Sequence, residues 1–333
     1  MNPMSLNFLD FKQICAHAGL GAIVGVPESL SGGLLHKIYA IETISGKYVV
    51  KLLNPEIINR LGAKHNYRQA ESIAEHASRS VPTLAAKRIN GTFLQVWGDH
   101  HYLLYDWIVG RSLTNNEVTA FHSEKVGSIL GRIHSLDFSH LELTDHCTNI
   151  EVVDWDFYRQ HGEKHNAEWW ELFHFQLSQL HEWNARAVRA GKILITERVV
   201  SHRDLDAKNV MWHQGEPVIF DWESAGCVHP MCDFMETALY WSENNEGSVE
   251  IDRLRAFIRG YERHRPRLDT DWETVLEHGF SGKLDWLEYN LKRSLKMGFS
   301  DEEEQKLGTA QVIKTLRELK HYAAAFPVLL KWL

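Results

Sequence analysis

From Val200 to Asp221 the chain reads Val-Ser-His-Arg-Asp-Leu-Asp-Ala-Lys-Asn-Val-Met-Trp, then a turn, then Val-Ile-Phe-Asp. Asp204 is followed five positions later by Asn209, and a second acid, Asp221, comes twelve residues further on. Two apolar runs, Val210-Met211-Trp212 and Val218-Ile219-Phe220, flank His213-Gln214-Gly215-Glu216-Pro217. Such runs around a Gly-containing turn predict a β-hairpin. A hairpin of that length returns the chain beside its start, so Asp221 is expected near Asn209. Two oxygen ligands would then lie together with a free carboxylate, Asp204, close by. That combination suits phosphoryl transfer. Mg2+ prefers hard oxygen donors and keeps several waters, so one carboxylate, one amide oxygen and the nucleotide phosphates suffice to hold it. The remaining carboxylate is placed to orient a hydroxyl and accept its proton.

His202-Arg203-Asp204 and Asn209 resemble, residue for residue, the H-R-D-x-x-x-x-N catalytic loop of protein kinases, with its metal-binding Asp downstream. The wider stretch is similar to the aminoglycoside phosphotransferase and choline-kinase-like superfamily, the small-molecule branch of the protein-kinase-like fold. Phe220-Asp221-Trp222-Glu223 resembles that branch's Asp-Trp-Glu or Asp-Phe-Glu, where protein kinases have Asp-Phe-Gly. Ser224-Ala225-Gly226, Pro230 and Asp233 look like its continuation. Many members carry a His two residues after the catalytic Asp, where this chain has Asp206. The departure spares the metal positions and bears on local substrate or phosphate contacts, for which Lys208 is a further candidate.

The 333 residues are enough for one large domain or two lobes. A hydrophobic content of 44% supplies a sizeable core, and 24% charged residues matches an ordinary globular chain. The net charge of −8 argues against a nucleic-acid partner, because phosphate backbones demand a basic stripe. The cysteines Cys15, Cys147, Cys227 and Cys232 fit neither a zinc ribbon nor a redox CxxC spacing, and a reduced intracellular chain is the expectation. The first ten residues show no basic stretch followed by a long apolar run, and no segment reaches about 18 apolar residues. No secretory signal, no membrane span and a cytoplasmic location are therefore expected. The 20 histidines are dispersed and form no metal motif.

In chain order, residues 6–19 predict an amphipathic helix burying Leu9, Phe11, Ile14 and Cys15. A turn at Ser29–Gly33, a β-like run from His36 to Glu42, a second turn at Ser45–Lys47 and a strand from Tyr48 to Leu53 follow. Gly32 and Gly33 would let the backbone approach phosphates, although such a pair also serves plain hairpins. Lys51, after Val-Val in the strand that follows the turn, resembles the lysine that grips the α- and β-phosphates in kinase-like enzymes, the alternative being a solvent-facing strand Lys. A helix over about 55–78 would supply the Glu that pairs with that lysine. Arg68-Gln69-Ala70-Glu71 followed by Val81-Pro82 resembles the family pattern and selects Glu71 over Glu75, against the reading that both are solvated acids. Strands are predicted at 85–89, 92–97 and 102–107. Leu103 to Gly110 resembles the hinge between lobes, where backbone groups near Asp106 and Ile108 would read the adenine edge.

Beyond the hinge, Asn115 or Asn116 caps a predicted helix through Ser135, ending in an Ile-His that resembles the family's packing helix. Residues 151–198 are rich in aromatics and acids. They read either as core Trp residues with a solvated acidic face or as a substrate wall for a cationic acceptor. A helix at 230–242 follows, then helices at about 251–264, 271–297 with a break near Gly279–Gly282, and 301–333 with Pro327 interrupting the last. The expected fold is α+β, two-lobed and protein-kinase-like: residues 1–109 form a β-rich nucleotide-binding lobe and 110–333 a helical catalytic and substrate lobe.

The resemblance implies ATP and Mg2+, with Asp204 as base, Asn209 and Asp221 as metal ligands, and Lys51 with Glu71 placing the phosphates. The acceptor would be a hydroxyl of a small polar molecule, aminoglycoside-like first, with choline, homoserine, methylthioribose or sugar-type acceptors as alternatives and GTP as an alternative donor. A protein kinase is disfavoured by Asp-Trp-Glu and by the lack of an Ala-Pro-Glu segment. A non-catalytic nucleotide-binding module is disfavoured because all five chemical positions are filled.

Overall fold

A computed structural model describes residues 8–30, 36–144, 150–267, 269–298 and 302–333. They fall into two compact units. One comprises Met1–Thr114, Ser135–Thr144 and Val200–Gly226; the other comprises Asn115–His134, Asp145–Val199 and Cys227–Leu333.

The first unit begins with helix α1 (Phe8–His17), ended by Gly19 at φ 66°. Strands β1 (Glu28–Leu30), β2 (Lys37–Thr43) and β3 (Gly46–Leu52) follow, then helices α2 (Pro55–Ile58) and α3 (Ala63–Ala77) and strands β4 (Gln95–Trp97), β5 (His100–Asp106) and β6 (Arg111–Ser112). The chain re-enters this unit near β7 (Val199–Ser201). It then forms the hairpin β8 (Val210–His213) and β9 (Glu216–Ile219), and leaves near β10 (Gly226–Val228).

Strands β1 to β5 make a five-stranded antiparallel sheet in the order β1-β2-β3-β5-β4. Side chains of a strand alternate between faces, and this decides what Lys51 can reach. Val50 and Leu52 turn to one face, where Ile41 and Leu104 pack with Phe11, Ile14 and Cys15 of α1. Lys51 and Leu53 turn to the other, shared with Leu103, Tyr105 and, from α3, Tyr67. The apolar stripe expected on the first helix is present at Phe11, Ile14 and Cys15; the side chain of Leu9 lies outside the described residues.

The helix expected over 55–78 is two helices. Asn54 caps α2, its side chain accepting the Glu56 N–H at 2.9 Å, and Pro55 occupies the first turn, where a missing N–H costs nothing. Gly62 then takes φ 80°, a left-handed conformation that ends the run, and α3 starts anew. Residues 85–89 are not a strand. Their amides go to different partners: Ala86 N–H to the Glu71 carboxylate and Lys87 N–H to the Leu104 carbonyl. Asn90 and Gly91, both at positive φ, close a tight turn that pairs Ile89 with Thr92.

The hairpin forms where it was expected. Gln214 and Gly215 at its tip both have positive φ (52° and 80°), as a two-residue turn matched to strand twist requires. Ile219 N–H bonds to the Pro82 carbonyl and Leu84 N–H to the Ile219 carbonyl, which ties the hairpin to the segment leaving α3.

The second unit contains α4 (Ala120–Ile133), α5 (Trp155–Lys164), α6 (Trp170–Ile193), α7 (Pro230–Tyr240), α8 (Ile251–Glu262), α9 (Trp272–His278), α10 (Phe280–Ser294) and α11 (Glu302–Leu329). Helix α4 starts later than expected, at a Thr119 cap whose N–H donates to His122 Nδ1, while the Asn115 carbonyl accepts from Arg253. Its glycines explain its packing: a Cβ on Gly127 or Gly131 would meet the carbonyl oxygens of Phe257 or Tyr261 on α8 at 2.2 and 2.6 Å. His134, at the end of α4, is buried between Asp233 Oδ2 (2.8 Å) and the Tyr261 hydroxyl (3.0 Å), a packing role. Trp155, Trp169, Phe173 and Trp183 are all buried, so these aromatics of the 151–198 segment serve as core. Pro327 does not interrupt α11, which runs through it to Leu329.

Candidate active site

The segment around Asp204 is held by short-range hydrogen bonds that its own residues supply. Asp204 N–H donates to His202 Nδ1 (3.3 Å), which leaves the His202 Nε2–H to donate to the Phe220 carbonyl at 3.0 Å. His202 therefore fastens the loop before Asp204 to the strand end before Asp221. Arg203 at φ 64° and Asp221 at φ 66° both sit in the left-handed region, a conformation that costs free energy for residues with a Cβ and persists where the surroundings over-determine it.

Asn209 joins the three expected chemical positions. Its Nδ2 donates to the Asp204 carbonyl (2.8 Å) and to Asp204 Oδ2 (2.9 Å), and its own carbonyl accepts the Phe220 N–H (3.0 Å). With both amide hydrogens committed, its Oδ1 is the atom left for a cation. Lys208 Nζ lies 3.4 Å from the Asp204 carboxylate and 3.6 Å from Asp206 Oδ2. Burial pushes the Asp204 carboxyl up to about 6, with Asp206 adding to the rise and Lys208 and Asn209 opposing it.

Lys51 is buried and ionised. Its Nζ donates to Asp221 Oδ1 at 2.7 Å and to Glu223 Oε2 at 2.8 Å. Burial alone would pull this amine down, but the two carboxylates outweigh it and hold it above the usual lysine range. Glu223 in turn stands below the usual carboxylate range: burial opposes ionisation, and Lys51 and His36 overcome it. The expected pairing of Lys51 with Glu71 is not the one formed. Glu71 is buried, and its two oxygens are taken by the Tyr105 hydroxyl (2.6 Å) and the Ala86 N–H (2.6 Å). Burial pushes Glu71 up to about 7, against the pull of those two hydrogen bonds and of Lys51. The correction has a simple cause: two carboxylates from the 3-10 turn at Trp222–Ser224 and its cap reach the ammonium first, and Glu71 has satisfied itself elsewhere.

Gly32 and Gly33 lie outside the described residues. Asp106 ends β5, and its side chain is an exposed ion pair with Lys87 (2.7 Å). Ile108 follows two residues later, half-buried, and the intervening Trp107 N–H donates to the Lys47 carbonyl. Glu223 and His36 were not among the expected site residues. Glu223 had a signal, since an acid two residues after Asp221 was visible; His36, 18 residues from the Asn54 amide that orients it, had none.

A sequence model described as the phosphotransferase enzyme family matches residues 27–267. The chain belongs to that family. It transfers a phosphoryl group to a hydroxyl of a small molecule, as the catalytic stretch led one to expect. Among characterised relatives, this phosphotransferase is 23% identical over 291 residues to a homoserine kinase from Methylobacillus glycogenes, covering 85% of each chain. Among solved structures it is similar to a spectinomycin phosphotransferase in complex with ADP and spectinomycin. That match has a TM-score of 0.70 and 12% identity, covering 95% of this chain and 99% of the other. It is also similar to an ethanolamine kinase of Plasmodium vivax, with a TM-score of 0.62, 14% identity and coverage of 92% and 87%. The fold is the expected protein-kinase-like α+β fold. Among the described residues no helix is long and apolar enough to cross a membrane.

Proposed function

We propose that this phosphotransferase moves the γ-phosphate of ATP to a hydroxyl of a small polar acceptor, of aminoglycoside type, in the cytoplasm. The observation that carries the reading is Asn209, whose Nδ2 holds the Asp204 carboxylate at 2.9 Å while its main-chain carbonyl accepts the N–H of Phe220, the residue before Asp221. The donor set fits a divalent cation of the Mg2+ kind: one amide oxygen and one carboxylate, both hard, to which water and phosphate oxygens would add. Such an ion, when held by Asn209 and Asp221, supplies charge neutralisation on the β- and γ-phosphates.

The remaining roles belong to the chain. Asp204 accepts the acceptor's hydroxyl proton as the new O–P bond forms and the bond from the γ-phosphorus to the β-phosphate oxygen breaks, releasing ADP. Lys208, 3.4 Å from the Asp204 carboxylate, would meet the incoming phosphoryl charge. Lys51 steadies the α- and β-phosphates, and the backbone near Asp106 and Ile108 meets the adenine.

A second reading, a small amino-acid acceptor such as homoserine, is favoured by the homoserine kinase relative, which this chain matches along 85% of that protein's length. The test is Mg2+-dependent transfer from ATP across aminoglycosides, choline, homoserine, methylthioribose and amino sugars, with Asp204→Asn and EDTA in parallel. Turnover on one compound that disappears in both controls supports the reading and names the acceptor. ATP binding without turnover on any compound would favour a nucleotide-binding module.

A further inference from the structure

The Lys51 ammonium rests on two carboxylates, and one of them, Asp221, is the group that a divalent cation would claim. What then holds Lys51 depends on Glu223, and the structure surrounds Glu223 with buried donors. His36 is buried, with 6% of its surface exposed. Its Nδ1 accepts the Asn54 N–H at 3.0 Å, so its proton sits on Nε2, which lies 3.3 Å from Glu223 Oε2. That is the same oxygen that Lys51 touches. Tyr67 of α3, 8% exposed, places its hydroxyl 2.7 Å from His36 Nε2. Lys51 on β3 and His36, just ahead of β2, thus meet on one carboxylate oxygen, and Tyr67 on α3 backs His36.

A polar cluster of this kind is an expensive way to fill space. Buried polar groups are tolerated only when paired, and apolar side chains of similar size would pack there without that demand. Its members do share one geometrical effect, which is to fix the rotamer of Glu223. Glu71, the other acid on this face, offers no substitute, since Tyr105 and the Ala86 amide already occupy both of its oxygens.

We propose that His36 and Tyr67 are positioning residues of the nucleotide site: they lock Glu223 so that Lys51 keeps its place for the ATP phosphates when Asp221 turns to a divalent cation. The inference rests on the ATP-dependent reading above. It assigns to Glu223 the anchoring of Lys51 that Glu71 was expected to provide.

The test measures ATP binding by calorimetry, with Mg2+ and with EDTA, for the unaltered protein, His36→Leu, His36→Gln, Glu223→Gln and the double variant His36→Leu/Glu223→Gln. Removing a donor to a buried charge should weaken binding in Mg2+ roughly tenfold or more. The effect should be smaller in EDTA, where Asp221 still holds Lys51. Gln at 36, which restores a donor near the Nε2 position, should recover most of the loss. His36→Leu should add little once Glu223 is already Gln, because a positioning residue acts only through its partner. A merely structural histidine would give equal losses in both backgrounds and no dependence on the metal, and that result overturns the inference. Unchanged ATP affinity in His36→Leu overturns it equally. If His36→Leu does not fold, Tyr67→Phe, which deletes one hydroxyl and keeps the ring, is taken through the same cycle. Failure of the unaltered protein to bind ATP would instead remove the nucleotide reading itself, and this inference with it.

Discussion

The Asn209 side chain donates both of its amide hydrogens to Asp204, one to the backbone carbonyl at 2.8 Å and one to the carboxylate at 2.9 Å. The residue proposed to hold the cation therefore also aims the carboxylate proposed as the base. Asn209→Asp keeps an oxygen for the cation but replaces a donor with a like charge facing Asp204. Hydrogen bonds to charged groups contribute about 1.5–3 kcal/mol, so phosphoryl transfer should fall roughly 10- to 100-fold or more. Steady-state kinetics beside a thermal melt checks this: a large loss in kcat with little change in Tm is the expected result.

Glu71 makes a pH prediction. Its carboxyl is pushed up to about 7 from an ordinary value of 4.5, so the folded chain keeps a proton there that the unfolded chain gives up. The stability tied to that proton is fully present below pH 4.5 and is lost as pH rises through 7, an effect of roughly 3 kcal/mol at most. Gln at this position retains an acceptor for the Ala86 N–H, and its amide N–H can donate to the Tyr105 hydroxyl. Melting curves at pH 5 and pH 8 should show a smaller decline across the interval for Glu71→Gln than for the unaltered protein. Equal declines would contradict the assignment.

The contact of α4 with α8 leaves no room for a methyl group. A Cβ at Gly131 would stand 2.6 Å from the Tyr261 carbonyl oxygen, and backbone cannot yield as a side-chain tip can. Gly131→Ala should cost about 1–3 kcal/mol, the usual range for overpacking, and Gly127→Ala, at 2.2 Å from Phe257 O, at least as much. Denaturant melts would measure both.

His134 and Asp233 form a buried pair at 2.8 Å, with His134 also bonded to the Tyr261 hydroxyl. His134→Leu removes one partner from a buried acid, a change that typically costs about 3–5 kcal/mol when the acid is charged. The loss should appear in stability. Residual folded protein should retain ATP affinity, which separates this histidine from His36.

Much of the site was legible in the sequence because it is local. Asp204, Asn209 and the hairpin to Asp221 lie within 18 residues, and their hydrogen bonds follow from short loops and turn chemistry. Lys51 was singled out by its resemblance to the kinase lysine, and the alternation of β3 puts it on the face of Leu53. Helix ends were less legible. Gly62 split one predicted helix into two, and Thr119 rather than Asn115 or Asn116 caps the helix that follows the hinge. Pro327 was expected to interrupt the last helix and did not: α11 runs through it to Leu329.

By itself, then, the sequence determined the family and the fold class and pointed to an ordered set of candidate reactive groups, since these show in the spacing along the chain. Only the tertiary structure decided which acid meets Lys51. Its partners Asp221 and Glu223 lie 170 and 172 residues away, and Glu71 was excluded by a tyrosine hydroxyl on β5 and an amide in the segment after α3. A buried ammonium takes the carboxylates that packing brings within reach, and no local pattern records how two distant segments compete for one charge.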